Sequence, residues 1–223
     1  MTTTEQTPLT ITEQLVASVT ATWRAIKARH AEVPDVVLTL GSGTIGVKPG
    51  QARLGHFAAA RWQRGDEALA ELFVGGEGLR RGAGALLATL IHEAAHGVAC
   101  VRGVKDTSRG GKYHNKKFKD IAESMGVVIA HDPVTGFSPT TLPPSTAAVY
   151  RPELAALEAA ITAYRHAEVA GVSRPTASNY VKAQCQCPRV IRVGKTVLAQ
   201  DPIICGGCGM DFCVPEPGDE AQE

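Results

Sequence analysis

The stretch that most limits what this chain can become is 81–101, RGAGALLATLIHEAAHGVACV. Leu87, Leu90, Ile91, Ala94, Ala95 and Val98 recur at three- and four-residue spacing, which predicts a helix with one wide buried face. The apolar run is long enough to consider as a membrane span. Such a span would bury His92, Glu93 and His96 in lipid, so that role is rejected. A core helix remains, and it must find partners for three polar side chains.

The spacing of those three suggests the partner. His92-Glu93-Ala94-Ala95-His96 is an HExxH pattern. Residues four apart on a helix lie one turn above each other, so the two histidines can grip one metal ion. Glu93 falls on the neighbouring face, within reach of a water at that ion without ligating it, the arrangement of a zinc hydrolase. Zinc acidifies water towards pKa ~7, and a carboxylate then takes the proton as hydroxide attacks a carbonyl.

Two histidines are a poor zinc site, so a third ligand is needed. His30 and His166 fall at polar helix ends and are most simply solvated. His56 lies in a strand of alternating character and is expected to be structural or at the surface. His131, in IAHDPVTGF, is a loop residue able to line a cleft. His114 fits best: it follows the HExxH helix after a glycine- and lysine-rich loop and opens a predicted helix, HNKKFKDIAESMG, whose Phe118 can pack back on the core.

The rest of the first 170 residues predicts an α+β fold. Positions 9–31 have amphipathic helical spacing, with Thr10 or Thr12 able to cap the start. DVVLTLG (35–41) predicts a buried strand. RLGHFAAARW (53–62) and ALAELFVGG (68–76), joined by QRGDE, predict a hairpin. The stretch 138–150 has loop composition, and 151–170 predicts a last helix. Cys100, alone on the apolar helix, is expected to be a buried small residue.

Five of the six cysteines lie in the last forty residues. Cys185-Gln186-Cys187 and Cys205-Gly206-Gly207-Cys208 are two close pairs, the requirement for a tetrahedral zinc site of four thiolates. Cys213 is an alternative ligand. The intervening PRVIRVGKTVLAQDPII alternates as two short strands would, and a unit this small needs metal for much of its stability. The expected organisation is a metallopeptidase domain at 8–170, a linker at 171–180, a zinc ribbon at 181–215 and an acidic tail at 216–223.

The combination resembles the SprT-like (Spartan-related) zinc metallopeptidases. The resemblance rests on HExxH at 92–96, on His114-Asn115-Lys116-Lys117-Phe118 with a histidine four residues before an aromatic, and on the flanking ELFVGGEGLRRGAGALLATLIHEAAH and HDPVTGFSPTTL. It covers roughly residues 10 to 170, and the cysteine unit agrees with it. It implies a zincin-like fold, zinc held by His92, His96 and His114, and Glu93 as general base. It also implies a C-terminal zinc ribbon held by Cys185, Cys187, Cys205 and Cys208. Asn115 departs from the family's usual glycine, which concerns local backbone shape only.

Function follows as an expectation of a zinc-dependent endopeptidase acting on protein or peptide substrates. Its site is expected between the HExxH helix and ALAELFV, taken as an edge strand able to align a peptide by β-addition. His131 and Tyr113 are the candidates for stabilising the oxyanion. Net charge is 23 − 22 = +1, so bulk charge selects no partner. Between Arg102 and Lys119, however, seven basic residues face one acid, Asp106. With Lys182, Arg192 and Lys195 they form a candidate DNA contact, as the family implies for DNA-associated proteins. The rival is a nucleic-acid-binding zinc-ribbon adaptor on a weak or inactive zincin scaffold; a hydrolase of non-peptide amides is a third reading. No secretory signal opens the chain, so the cytoplasm is the expected compartment, where clustered cysteines point to metal.

Overall fold

Thr10 starts the first helix. Its side chain accepts the Glu13 N–H while Glu13 Oε2 accepts the Thr10 N–H at 2.7 Å, a capping box that sets the start of α1 (Ile11–Arg29). Leu15, Val19, Trp23 and Ile26 are its buried stripe. The computed structural model describes residues 9–48, 50–167 and 179–215. The chain forms two units, Met1–Val169 and Ala170–Glu223.

In the first unit, β1 (Val36–Gly41), β2 (Gly55–Arg64) and β3 (Glu67–Gly75) form one sheet in the order β1-β3-β2. The hairpin β2–β3 is antiparallel, and β1 adds to β3 in parallel. ALAELFV is therefore the central strand and not the expected edge. Its Leu72 and Val74, which share one face, are fully buried, while Glu71 and Phe73 on the other face are half-buried. β1 and β2 are the edges instead, and β2 carries a bulge between Ala58 and Trp62 where Ala60 takes a positive φ.

A 3-10 turn (Gly76–Arg81) leads into α2 (Ala83–Val101), the centre of the core. Among the described residues α2 is the one helix long and apolar enough to cross a membrane, and 61% of that stretch is buried inside the protein. Leu87, Leu90, Ile91, Ala94 and Ala95 are wholly buried against α1, the sheet and α3. Burying each leucine or isoleucine contributes about 1.5–3 kcal/mol. Cys100 corrects an expectation: the last turn of α2 leaves it exposed.

The segment after α2 forms a two-residue ladder, β4 (Thr107–Ser108) with β5 (Tyr113–His114), followed by α3 (Lys116–Ser124). His114 is thus on β5 and does not open the helix; Asn115 caps it, its Oδ1 accepting the N–H groups of Lys117 and Phe118. Capping explains why asparagine suits this position. β6 (Val128–Ile129) pairs with β7 (Thr140–Thr141), and α4 (Pro144–Val149) follows. The expected loop at 138–150 therefore holds a strand and a helix. Proline at the helix start favours that turn, and β7 exists only through its distant partner.

α5 (Arg151–Ala160) stops ten residues before the expected helix end. Residues 161–167 have no regular secondary structure, and the Arg165 N–H donates to Gly76 O at 3.0 Å. Arg165 Nε also meets the buried Glu77 carboxylate at 3.3 Å, a tertiary attachment that outcompetes helical continuation. Residues 168–170, the bulk of the expected linker at 171–178, and the expected acidic tail at 216–223 lie outside the described residues.

The second unit pairs β8 (Tyr180–Gln184) with β9 (Val190–Gly194), and α6 (Lys195–Gln200) follows. The expected second strand after Gly194 is thus a helix, and β9's partner precedes the first cysteine pair. Periodicity over five or six residues cannot separate these outcomes.

Candidate metal centre and its cleft

α2 places His92 and His96 one turn apart, and β5 brings in His114. His96 Nε2 is 3.1 Å and His92 Nε2 3.3 Å from His114 Nε2. Two nitrogens each about 2.0–2.1 Å from one tetrahedral zinc stand roughly 3.3 Å apart. Phe118, fully buried, lies under all three imidazoles with ring centroids 4.5–4.7 Å away.

The other ring nitrogens fix the protonation. His114 Nδ1 faces the Thr135 carbonyl at 3.2 Å, which can only accept. His96 Nδ1 faces Asp106 Oδ2 at 2.5 Å, a charge-assisted pair. His92 Nδ1 faces Thr140 Oγ1 at 2.7 Å; that hydroxyl gives its own proton to Ser138 O at 2.9 Å, so it accepts from the ring. All three Nδ1 atoms therefore carry the proton in the neutral ring, and three Nε2 lone pairs converge. A hydrogen bond cannot satisfy that arrangement, but a cation can. Burial and the neighbouring rings push His92 well below its ordinary pKa, and burial lowers His114, so both favour the neutral, ligating form.

Glu93 is buried beside this centre. The Phe57 N–H donates to its Oε2 at 2.8 Å, leaving Oε1 uncommitted. Burial raises its pKa, partly offset by His96, the Phe57 N–H and Arg53. β2 can pass this close only at a glycine. A side chain at Gly55 would meet Thr89 Cγ2 at 2.6 Å and Glu93 Oε1 at 2.8 Å.

The centre opens on a cavity of about 710 Å³, walled by α2, β2 and the segment 138–140. His56, expected to be structural or at the surface, lines it from β2, half-buried, with a buried Nε2 that has no hydrogen-bond partner among the described residues. Cys100 also lines it. Tyr113 and His131 do not: they bond to each other at 3.0 Å, away from the cavity wall. Of the basic run, Arg102 pairs with Glu32, Lys119 with Glu123 at 3.7 Å, and Arg109 lies over the Tyr113 ring.

Sequence reasoning missed the residues that orient the ligands. Asp106 carried a signal, as the lone acid in a basic run. Thr135, held in the turn by Asp132 Oδ1, and Thr140 carried none, since their roles depend on which backbone atoms come near.

In the second unit Cys185, Cys187, Cys205 and Cys208 form a group able to hold a metal ion. Cys185 and Cys187 Sγ are 3.2 Å apart, and Cys187 and Cys205 Sγ 3.7 Å, against roughly 3.8 Å for thiolates on one tetrahedral zinc. The N–H groups of Gly207 and Cys208 lower Cys205 to about 6, while the Cys185 sulfur pushes Cys187 up to about 12. One knuckle thus favours thiolate, and further negative charge is resisted without a cation. Cys213 is exposed and outside the group; its backbone pairs with Gln184. Comparisons of this chain with protein-family models, with curated proteins and with solved structures found no match in any of the three.

Proposed function

We propose that this chain is a zinc-dependent endopeptidase of the SprT-like, zincin type, with a second, structural zinc in its ribbon. The observation that carries the reading is the convergence of three unprotonated Nε2 atoms beside a buried glutamate on a cleft bounded by a free strand edge. His92, His96 and His114 would hold the catalytic ion. A zinc ion there supplies Lewis acidity, acidifying water and polarising a carbonyl oxygen.

The chain's own groups do the rest. Glu93 Oε1 takes the proton of the attacking water and returns it to the leaving amine, while Oε2 stays anchored to the Phe57 N–H. Burial raises the Glu93 pKa towards the range a general base needs. Because the Phe57 N–H points away from β3, Gly55, two residues earlier, presents its backbone groups on the same edge. An extended peptide can align there by β-addition, on β2 in place of the central β3.

The test compares wild type with Glu93→Gln, measuring bound zinc and cleavage of an unfolded protein substrate. Glu93→Gln should retain zinc and lose cleavage by at least ~10²-fold. Equal cleavage by both, with zinc bound, would refute the reading. Zinc per chain should be two in wild type and about one in His114→Ala.

A further inference from the structure

We infer that the cleft selects polypeptide segments carrying an acidic side chain near the cleaved bond, with Arg53 and Arg81 as specificity-determining residues. This rests on the endopeptidase reading above and names its substrate class.

Apart from the histidines, four charged side chains line the cavity: Arg53, Arg81, Glu93 and Asp106. Asp106 is engaged by His96, and Glu93 is anchored through Oε2 by the Phe57 N–H while its Oε1 faces the reacting region. The two arginines are exposed, and among the described residues neither makes an ion pair or a side-chain hydrogen bond. Apart from Glu93 Oε1, on which the Arg53 charge acts, the charge left for a substrate is therefore positive. Guanidinium is suited to a carboxylate, which it can grip with two parallel hydrogen bonds.

Their positions match an extended chain in the cleft. Arg53 lies two residues before Gly55, the first residue of β2 and its point of closest approach to Glu93 Oε1, so its backbone stands at most about 7 Å along the chain from there. Arg81 precedes the start of α2, and the rise from Ala83 to His92 is roughly 13 Å. That is the span of about four residues of extended peptide. Between them α2 turns only Ala85, Ala88 and Thr89 to the cavity, leaving room for substrate side chains. A nucleic acid would satisfy the charge equally, but the strand edge and this floor of small residues suit a polypeptide.

The experiment uses the full zinc-loaded chain and unstructured synthetic peptides identical except for Glu, Gln or Lys at one position, scanned about four residues to either side of the cleaved bond. Wild type should show higher kcat/KM for Glu than for Lys at positions on one side. Arg81→Glu should invert the order there. An exposed ion pair is worth up to roughly fivefold, and exchanging attraction for repulsion compounds two such effects, so the Glu/Lys ratio should move about tenfold or more. Zinc content measured in both proteins verifies an intact centre.

Equal kcat/KM for Glu and Lys peptides, or an unaltered ratio in Arg81→Glu, overturns the inference and leaves the endopeptidase reading standing. Inhibition by a single-stranded oligonucleotide, with no preference among peptides, overturns it and assigns the arginines to nucleic acid. Failure of wild type to cleave any peptide removes the endopeptidase reading and the inference with it.

Discussion

The two groups able to hold a metal ion are built in opposite ways. The three histidines stand on a large core: α2 has wholly buried neighbours on one side, Phe118 supports the rings, and each Nδ1 is held by a fixed acceptor. The four cysteines have almost no core beneath them. Among the described residues, Ala183, Val193 and Phe212 are the buried ones there besides Cys185 and Cys205, and α6 buries none. In the first unit the fold makes the ligand set. In the second the ligand set, once metallated, has to make the fold.

Removing metal tests this most severely. Structural zinc is worth about 10–16 kcal/mol to small zinc-binding units, so chelation should unfold the ribbon while the first unit stays folded. Amide exchange should show protection lost over Tyr180–Gln184 and Val190–Gly194 and kept over Ala83–Val101. Cooperative loss of both units would break the comparison.

Phe118→Ala should come next. Removing a buried phenylalanine costs about 3–5 kcal/mol, read by urea denaturation of the first unit. Because that ring touches all three histidines, zinc affinity should fall with stability. Unchanged affinity would show that the backbone alone positions the ligands.

Asp106→Asn separates orientation from folding. It keeps an acceptor for His96 Nδ1 but removes the charge, and loss of such a partner typically costs 10–100-fold in metal affinity. Competition with a chromophoric chelator measures it, and the denaturation midpoint of the metal-free protein should barely move.

The smallest effect is at Glu77. Burial pushes its carboxyl up, but the N–H groups of Gly43 and of Glu77 itself, the Ser42 hydroxyl and Arg165 outweigh burial and hold its pKa below the ordinary 4.5. A depressed folded pKa contributes stability that is present above 4.5 and lost as pH falls through the folded value. Glu77→Gln should lower stability at neutral pH by about 1 kcal/mol and flatten its decline in that acid window. An unchanged acid slope, measured by urea melts across the window, would remove Glu77 from the account.

The features legible in the residues alone were local and periodic. Amphipathic spacing over 9–31 placed α1, with Thr10 and Thr12 both open as its cap, the spacing in 81–101 placed α2, and four-residue spacing put His92 and His96 on one face. The cysteine pairs were legible because four thiols in two tight turns have few other uses. Relations between distant segments emerged only once the chain had folded. β3 is central because β1 crosses to its far side. Residues 161–167 leave the helix because Glu77 and Gly76 hold Arg165. Asp106, Thr135 and Thr140 orient the ligands because loops far apart in sequence meet at the imidazoles. A helical period records which residues face the core. It holds no record of which strand arrives beside them, since pairing depends on distant backbone groups that every residue type carries alike.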